Sequence, residues 1–259
     1  MAWNFFTNNG STKYNSGGNS PIVVASAASI SITSNTVNYI TGTTSISSMT
    51  GVAPGDTVTL SASGQATGGC LILVHGTGSN NLSLRDLANF GIYNGESVTF
   101  QYTGSYWVEI NRNVKEIINY KSITADTSVT TSYSETFAGV FNVATTDNIT
   151  YDGVTYVDIE MYLSDLYSLL INANLYLTLW EVNSQTAIGR IARYSDPSSA
   201  GNFHRPGHGR IRLQPGSGTS GAYQYKLGAN SVTAATTIGG ATYAGSYLRV
   251  VRSPASISS

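Results

Sequence analysis

Few residues in this chain could do chemistry, and they gather in one stretch. FHRPGHGRIR, residues 203 to 212, carries His204 and His208 together with Arg205, Arg210 and Arg212. A metal centre would need further His, Cys or carboxylate ligands converging on the histidine pair, and Asp196 is the nearby acid. Pro206 and Gly207 between the histidines predict a loop, so the spacing implies no helix face. The segment from Ser195 to Gly209 therefore reads as an exposed recognition loop or a subunit contact, with Phe203, His204, Arg205 and His208 as its contact residues. Arg210 and Arg212 would share one face of a strand. There they could meet carboxylates of a neighbouring subunit, hold an acidic surface glycan, or stay in solvent.

Other constellations are weaker. Asp158 and Glu160 alternate on one strand face beside Tyr156 and Tyr162. Glycoside hydrolysis needs two carboxylates at a set separation, but a charged strand face is ordinarily just solvated. There is no G-x-S-x-G elbow for a serine nucleophile. His75 lies next to Leu71, Leu73 and Val74, which predicts a buried, satisfied histidine rather than a general base. Gly76, Gly78 and Asn81 do not complete a dinucleotide fingerprint. Cys70 is the only cysteine, which excludes an intramolecular disulfide and a Cys-based zinc site. No catalytic residue, metal or cofactor is expected.

Composition points the same way. Only 10% of the 259 residues are charged and three are His, where ordinary soluble proteins carry about 25% charged residues. A net charge of -1 argues against a nucleic-acid partner, and no stretch approaches the roughly 20 apolar residues of a membrane helix. The opening MAWNFFTNNGSTKY has neither a basic nor a continuous apolar region, so the chain reads as made in the cytoplasm without a secretory signal. Seventeen tyrosines offer flat amphipathic contact area at little rotamer cost.

The elements that must position these residues are strands. Residues 1 to 21 form a polar, Gly-rich arm with Trp3, Phe5 and Phe6 as docking anchors. From 22 to 111 the period is two, predicting a β-rich shaft module, a sandwich or a β-helical stack. Its clearest hairpin joins Glu96–Tyr102 to Tyr106–Ile110 through Thr103–Ser105, with Tyr106, Val108 and Ile110 sharing one face. In 112 to 122, Val114, Ile117 and Ile118 recur at helical spacing, which predicts a helical neck or linker. From 123 to 259 the chain reads as an all-β knob of about eight strands, a jelly roll. Asp152-Gly153 predicts a hairpin between Asn148–Tyr151 and Val154–Val157. Tyr176, Thr178 and Trp180 oppose Leu175, Leu177 and Leu179, a face that a monomer would leave uncovered and that is expected at a trimer interface.

Three stretches resemble known virion proteins. ISSMTGVAPGDTVTL, LILVHGTGSNNLSL and GESVTFQYTGSYWVEINR, within Thr43 to Asn111, resemble a β-rich module of bacteriophage tail fibres and other appendages, where a Gly, an aromatic residue and a Trp precede Val-Glu-Ile, as Gly104, Tyr106, Trp107, Val108, Glu109 and Ile110 do here. LYLTLWEV, RIRLQPGSGTSGAYQYKL and the closing YLRVVR resemble the tumour-necrosis-factor-like trimeric jelly rolls at phage fibre ends. MAWNFFTNNGSTK is similar to the start of phage minor structural proteins. The chain lacks collagen-like repeats, a long shaft and a tailspike catalytic region. The resemblance implies an all-β, non-enzymatic homotrimer at the virion surface, a fibre or spike held by its arm to capsid, collar, tail or baseplate proteins, its knob contacting a host-surface glycan. A capsid decoration protein is the competing expectation, and a polysaccharide-cleaving tailspike a third.

Overall fold

Alternation at period two decides which side of each strand is buried. In Thr57–Ala62, Val58, Leu60 and Ala62 are buried while Thr57, Thr59 and Ser61 are half-buried. The computed structural model describes residues 21–34, 36–65, 69–130, 134–168, 174–195, 203–232, 236–239 and 245–252, and the backbone of two short strands before them. The chain divides between Lys115 and Glu116 into two compact units.

In the first unit the strands are Phe5–Asn8 (β1), Ser11–Tyr14 (β2), Ile22–Ala25 (β3), Ser29–Ser31 (β4), Val37–Thr41 (β5), Ser48–Thr50 (β6), Thr57–Ala62 (β7), Cys70–Leu73 (β8), Leu82–Ser83 (β9), Phe90–Tyr93 (β10), Ser97–Tyr102 (β11) and Trp107–Asn113 (β12). β3, β5 and β7 are parallel neighbours in one sheet, and β4 and β6 form a separate parallel pair. The chain thus winds back and forth between two layers in β-helical fashion. β7, β11 and β12 then continue the first sheet antiparallel. Ile30, Met49, Leu71 and Leu73 from one side and Ile40, Leu60, Phe100 and Trp107 from the other fill one apolar core.

The β11–β12 hairpin forms with Tyr102 opposite Trp107, and Gly104 supplies the positive φ of its turn. Its second arm is turned over relative to the sequence expectation. Trp107 and Glu109 face inward, whereas Tyr106 and Ile110 are exposed. The two buried polar side chains of this arm, Trp107 and Glu109, are both matched. The Trp107 indole donates to the Met49 carbonyl at 2.9 Å. Glu109 receives Arg112 at 2.5 and 2.6 Å and the Arg85 amide at 3.0 Å, while Arg112 also donates to Asp86 at 2.8 Å and lies 4.1 Å over the Phe90 ring. Burial disfavours the Arg112 charge, but the two carboxylates outweigh it and raise its pKa further.

In the second unit the strands are Ile117–Ser122 (β13), Thr127–Val129 (β14), Phe141–Thr145 (β15), Ile149–Tyr151 (β16), Val157–Ser168 (β17), Asn174–Glu181 (β18), Thr186–Ser195 (β19), Phe203–Leu213 (β20), Gly221–Tyr223 (β21), Tyr225–Ser231 (β22), Thr236–Gly239 (β23) and Tyr247–Arg252 (β24). One sheet runs β13-β24-β17 with β20 on the far side of β17, and carries β23 and β14 at one end. The other runs β15-β22-β18-β19. Taking β13, β15, β17, β18, β19, β20, β22 and β24 in chain order as first to eighth, the sheets read 1-8-3-6 and 2-7-4-5, which is jelly-roll connectivity. Val157, Ile159, Met161, Leu177, Leu179, Leu227 and Val250 pack between them.

Three local expectations are corrected. Residues 112 to 122 contain no helix: Asn113 ends β12, and Ile117–Ser122 is an edge strand paired with β24. Helical spacing of three apolar residues lost to an open sheet edge. Asp152-Gly153 does not close a hairpin. The Asp152 carboxylate accepts the Val154 and Thr155 amides at 2.9 and 2.8 Å and the Thr155 hydroxyl at 2.6 Å, removing from ladder pairing the donors such a hairpin would use. β16 pairs with β21 instead. The third correction is the recognition loop, whose second half is strand β20.

Arg112→Met leaves Glu109, 1% exposed at its side chain, buried without its cation. Urea unfolding should show a loss of about 3–5 kcal/mol, most of which adding Glu109→Leu should restore. Equal stability of the single variant and the parent would show that the pair contributes nothing.

Candidate functional site

β20 explains why the histidine-arginine segment looked irregular. Gly207 and Gly209 alternate inward and are buried, while His204, His208, Arg210 and Arg212 point outward. An added Cβ at Gly209 would lie 2.6 Å from the Ile191 carbonyl, so only glycine lets β19 pass behind this strand. Pro206 sits where a β17 bulge interrupts the pairing, the place in a sheet that tolerates its missing N–H.

The outward face of the larger sheet is a lattice of ions and rings. Glu160 lies opposite Arg210 on β20 and opposite Arg249 on β24. Arg249 donates to Glu160 at 2.8 and 2.7 Å, and Arg210 is 3.9 Å from Glu160. Asp158, only 2% exposed, receives Arg210 in a short hydrogen bond and Arg212 at 3.3 Å. These bonds raise the pKa of Arg210 and Arg249. The arginines therefore find carboxylates in their own chain, on the neighbouring strand. Beyond the ions run Tyr120, Tyr247 and Tyr162, ring centroids 5.4 and 5.9 Å apart.

At the far end of the same face, His204 bonds Asp165 through Nδ1 at 2.9 Å and stacks on Tyr167 with centroids 5.1 Å apart. Arg205 turns toward β19, donates to the Ser195 carbonyl at 2.7 Å and lies 5.4 Å from the Tyr194 ring. His208 is exposed opposite Tyr162. Residues 196–202 and the side chain of Phe203 lie outside the described residues. So do Trp3 and the side chains of Phe5 and Phe6, although the backbone of the latter two is in β1. Among the described residues, no group of three or more His, Cys, Asp or Glu could hold a metal ion. His75, half-buried, accepts the Leu84 amide on Nδ1 at 3.1 Å.

The outward face of the smaller sheet is different. Residues 134–140 form a strap across it, pinned where Asn230 donates to the Ser134 carbonyl at 2.7 Å and where Lys226 donates to the Phe137 carbonyl at 2.9 Å beneath the Phe137 ring. Burial lowers the pKa of Lys226. Trp180 lies edge-on to Phe137, 6.0 Å between centroids, and is 4% exposed. Of the face expected to stay uncovered, its Trp180 end is thus covered by the chain itself, while Tyr176 and Thr178 are half-buried and Arg190 sits 4.2 Å over the Tyr176 ring.

Beside the strap opens a cleft of about 280 Å³ lined by Glu135, Thr178, Trp180, Ala187, Gly189, Arg190 and Asn230. The Trp180 Nε1 donor and the Asn230 Oδ1 acceptor are buried with no hydrogen-bond partner among the described residues. An unmet buried group costs about 1–3 kcal/mol. No sequence motif joins these residues. They come from the strap, β18, β19 and β22, and of them only Thr178 and Trp180 lay on a face that alternation marks out.

No family model and no curated protein matches the chain. The resemblance to phage appendages therefore stands on strand and turn patterns. Distant structural similarity exists to infectious bursal disease virus, Gx strain, at 13% identity over 66% of this chain and 49% of that one with TM-score 0.33. T=1 particles derived from the same virus match at 13% over 65% and 48%, TM-score 0.33. A carbohydrate-binding module from Cellvibrio mixtus lichenase 5A, in complex with cellotriose, matches at 15% over 53% and 98%, TM-score 0.24. The matched region spans about half the length of the viral chains. At these scores the likenesses define no family and no activity. What the chain's own pairing defines is an all-β protein with a jelly-roll unit.

Gly228 leaves the space that the Trp180 indole occupies. A Cβ there would lie 2.6 Å from Val140 Cγ2 and 3.0 Å from Trp180 Nε1. Gly228→Ala should cost about 1–3 kcal/mol in denaturant unfolding and shift Trp180 fluorescence. An unchanged midpoint and spectrum would mean that the strap gives way freely.

Proposed function

We propose that this chain is a non-enzymatic structural protein of a bacteriophage particle: a homotrimeric fibre or spike at the virion surface, anchored by its N-terminal arm to other virion proteins, with the jelly roll as an outward knob for host-surface contact. The observation that carries the reading is the open face of the larger sheet. Tyr120, Tyr162 and Tyr247 give it rigid aromatic area, and Tyr120 is 51% exposed. Its carboxylates and guanidinium groups are already paired within the sheet, so burying the face against a second copy strands no ion. Covering it in a closed three-fold ring also shields an open sheet edge.

The non-enzymatic part is supported by the low charge content and by the use to which the acids are put. Asp158 and Glu160, the pair considered for glycoside hydrolysis, are both engaged by arginines. His204 and His208 lie on the face assigned to the trimer, which leaves the opposite sheet for host contact.

Mass photometry of the purified chain should report three times its 27.4 kDa mass, and Tyr120→Glu with Tyr247→Glu should yield a folded monomer. A wild-type monomer at micromolar concentration would overturn the trimer. Labelled copies on intact particles should lie on projecting fibres. Copies spread evenly over the shell, whose loss makes capsids leak, would instead establish the decoration role.

A further inference from the structure

We propose that the open end of the β-helical stack in the first unit, the outer edges of β3 and β4, takes up an extended strand of another virion protein by main-chain hydrogen bonding. This rests on the anchoring part of the function proposed above and gives the attachment a surface besides the arm. β3 and β4 make up the terminal coil. β3 lies at the end of its sheet and β4 pairs with β6 alone, so among the described residues no strand lies beyond either. β1 and β2, which precede them, pair with each other.

The pairing on the inner side shows which backbone groups are left. The Ser26 amide donates to the Thr41 carbonyl at 2.8 Å, and inward and outward backbone groups alternate along a strand. Ile22, Val24 and Ser26 therefore bond toward β5, and the N–H and C=O groups of Val23 and Ala25 point to the open side. In the second layer the Ile32 amide donates to the Thr50 carbonyl at 3.0 Å, which by the same alternation leaves the groups of Ser29 and Ser31 outward. A row of donors and acceptors held in strand conformation is matched by another extended backbone.

Edge strands are ordinarily blunted by charge, proline or bulges, and the longer edges of the second unit follow that rule. β20 carries Arg205, Pro206 and Arg210. β19 shifts register twice and carries Arg190 and Arg193, and β13 shifts once and carries Lys121. β3 and β4 have none of these devices: residues 21 to 34, PIVVASAASISITS, contain no charged side chain, and both strands pair in unbroken register. Pro21 precedes β3 and leaves its edge donors in place. Stacked-coil proteins need a polar cap at their ends, whereas here Val23 is 62% exposed. Ile22, Val23 and Val24 are β-branched and suited to a further pairing, and a partner strand of hydroxyl and aliphatic side chains meets this uncharged edge without stranding an ion.

Val23→Pro removes one outward N–H and sets the proline ring where the added strand would lie, while sparing every bond to β5, a change that edge positions tolerate. In the full-length protein it should keep the wild-type unfolding midpoint and assembly state but enter particles at least about tenfold less. Val23→Thr, which keeps the N–H and the β-branch, should enter normally. Should Val23→Pro fold poorly, Val23→Lys, which leaves the backbone intact and charges the edge, is expected to show the same loss. Hydrogen exchange gives a reading without substitution: the Val23 and Ala25 amides should exchange freely in the purified protein and become protected in the particle, with Ser26 protected in both. Wild-type incorporation by the folded edge variant, or no gain of protection at Val23 and Ala25, would overturn the assignment. A larger complex in solution that Val23→Pro dissociates would give the edge to a second copy of this chain and overturn it as well. Wild-type protein missing from particles would sink the virion role and this inference together, whereas the other outcomes sink this inference alone.

Discussion

A carboxylate that is almost wholly buried near the outer surface of a sheet must be met by cations from the strands on either side, and Asp158 and its neighbour Glu160 impose that requirement on β17. Arg210 and Arg212 answer from β20, and Arg249 from β24. Because side chains alternate, a slip of one residue by β20 or β24 would send its arginines into the core and bring Ile211 or Val250 to the surface. The ion lattice and the apolar layer beneath it therefore specify the same register. Leaving one of these ions alone costs more than the pair contributes over an apolar substitute, so the arrangement serves to exclude wrong pairings more than to add stability.

With β17 held this way, the bulge after Leu163 becomes the next determinant. It moves the inward set from odd to even positions, so that Leu166 joins the core and Asp165 and Tyr167 turn outward to meet His204. The same interruption admits Pro206 on the opposite strand. A protein with so few ionisable groups has concentrated many of them on one face, where they act on one another.

Strands whose inward residues are bulky were legible in the sequence: β7, β11, β17, β18 and β24 alternate as their residue types indicate. The first part of β20, Phe203 to Gly209, was not, because its inward residues at the crossing point are glycines, and a missing side chain leaves no apolar mark. The Asp152 turn misled for a related reason, since a side chain there takes the amides that a hairpin would use, and residue type alone does not reveal which acceptor wins. At 112 to 122 the apolar residues sit at helical spacing only, and pairing with β24 imposed a strand on Ile117–Ser122 against that spacing. The cleft was invisible in principle. Glu135, Trp180, Arg190 and Asn230 lie on four segments that only the jelly-roll connectivity brings together, and the strap that completes them has no periodicity of its own.

The winding of the first unit has a different kind of consequence. β3, β5 and β7 stack as parallel neighbours, each resting on the one before, with β4 and β6 stacked likewise in the second layer. In such an arrangement each coil contacts chiefly its neighbours. A duplication or deletion of one whole coil would keep the parallel pairing pattern of both layers while changing the unit's reach by about 4.8 Å, the spacing of adjacent strands. Length is thereby separated from fold, and an element of this design can be made longer or shorter in whole steps during evolution without redesigning what lies at either end.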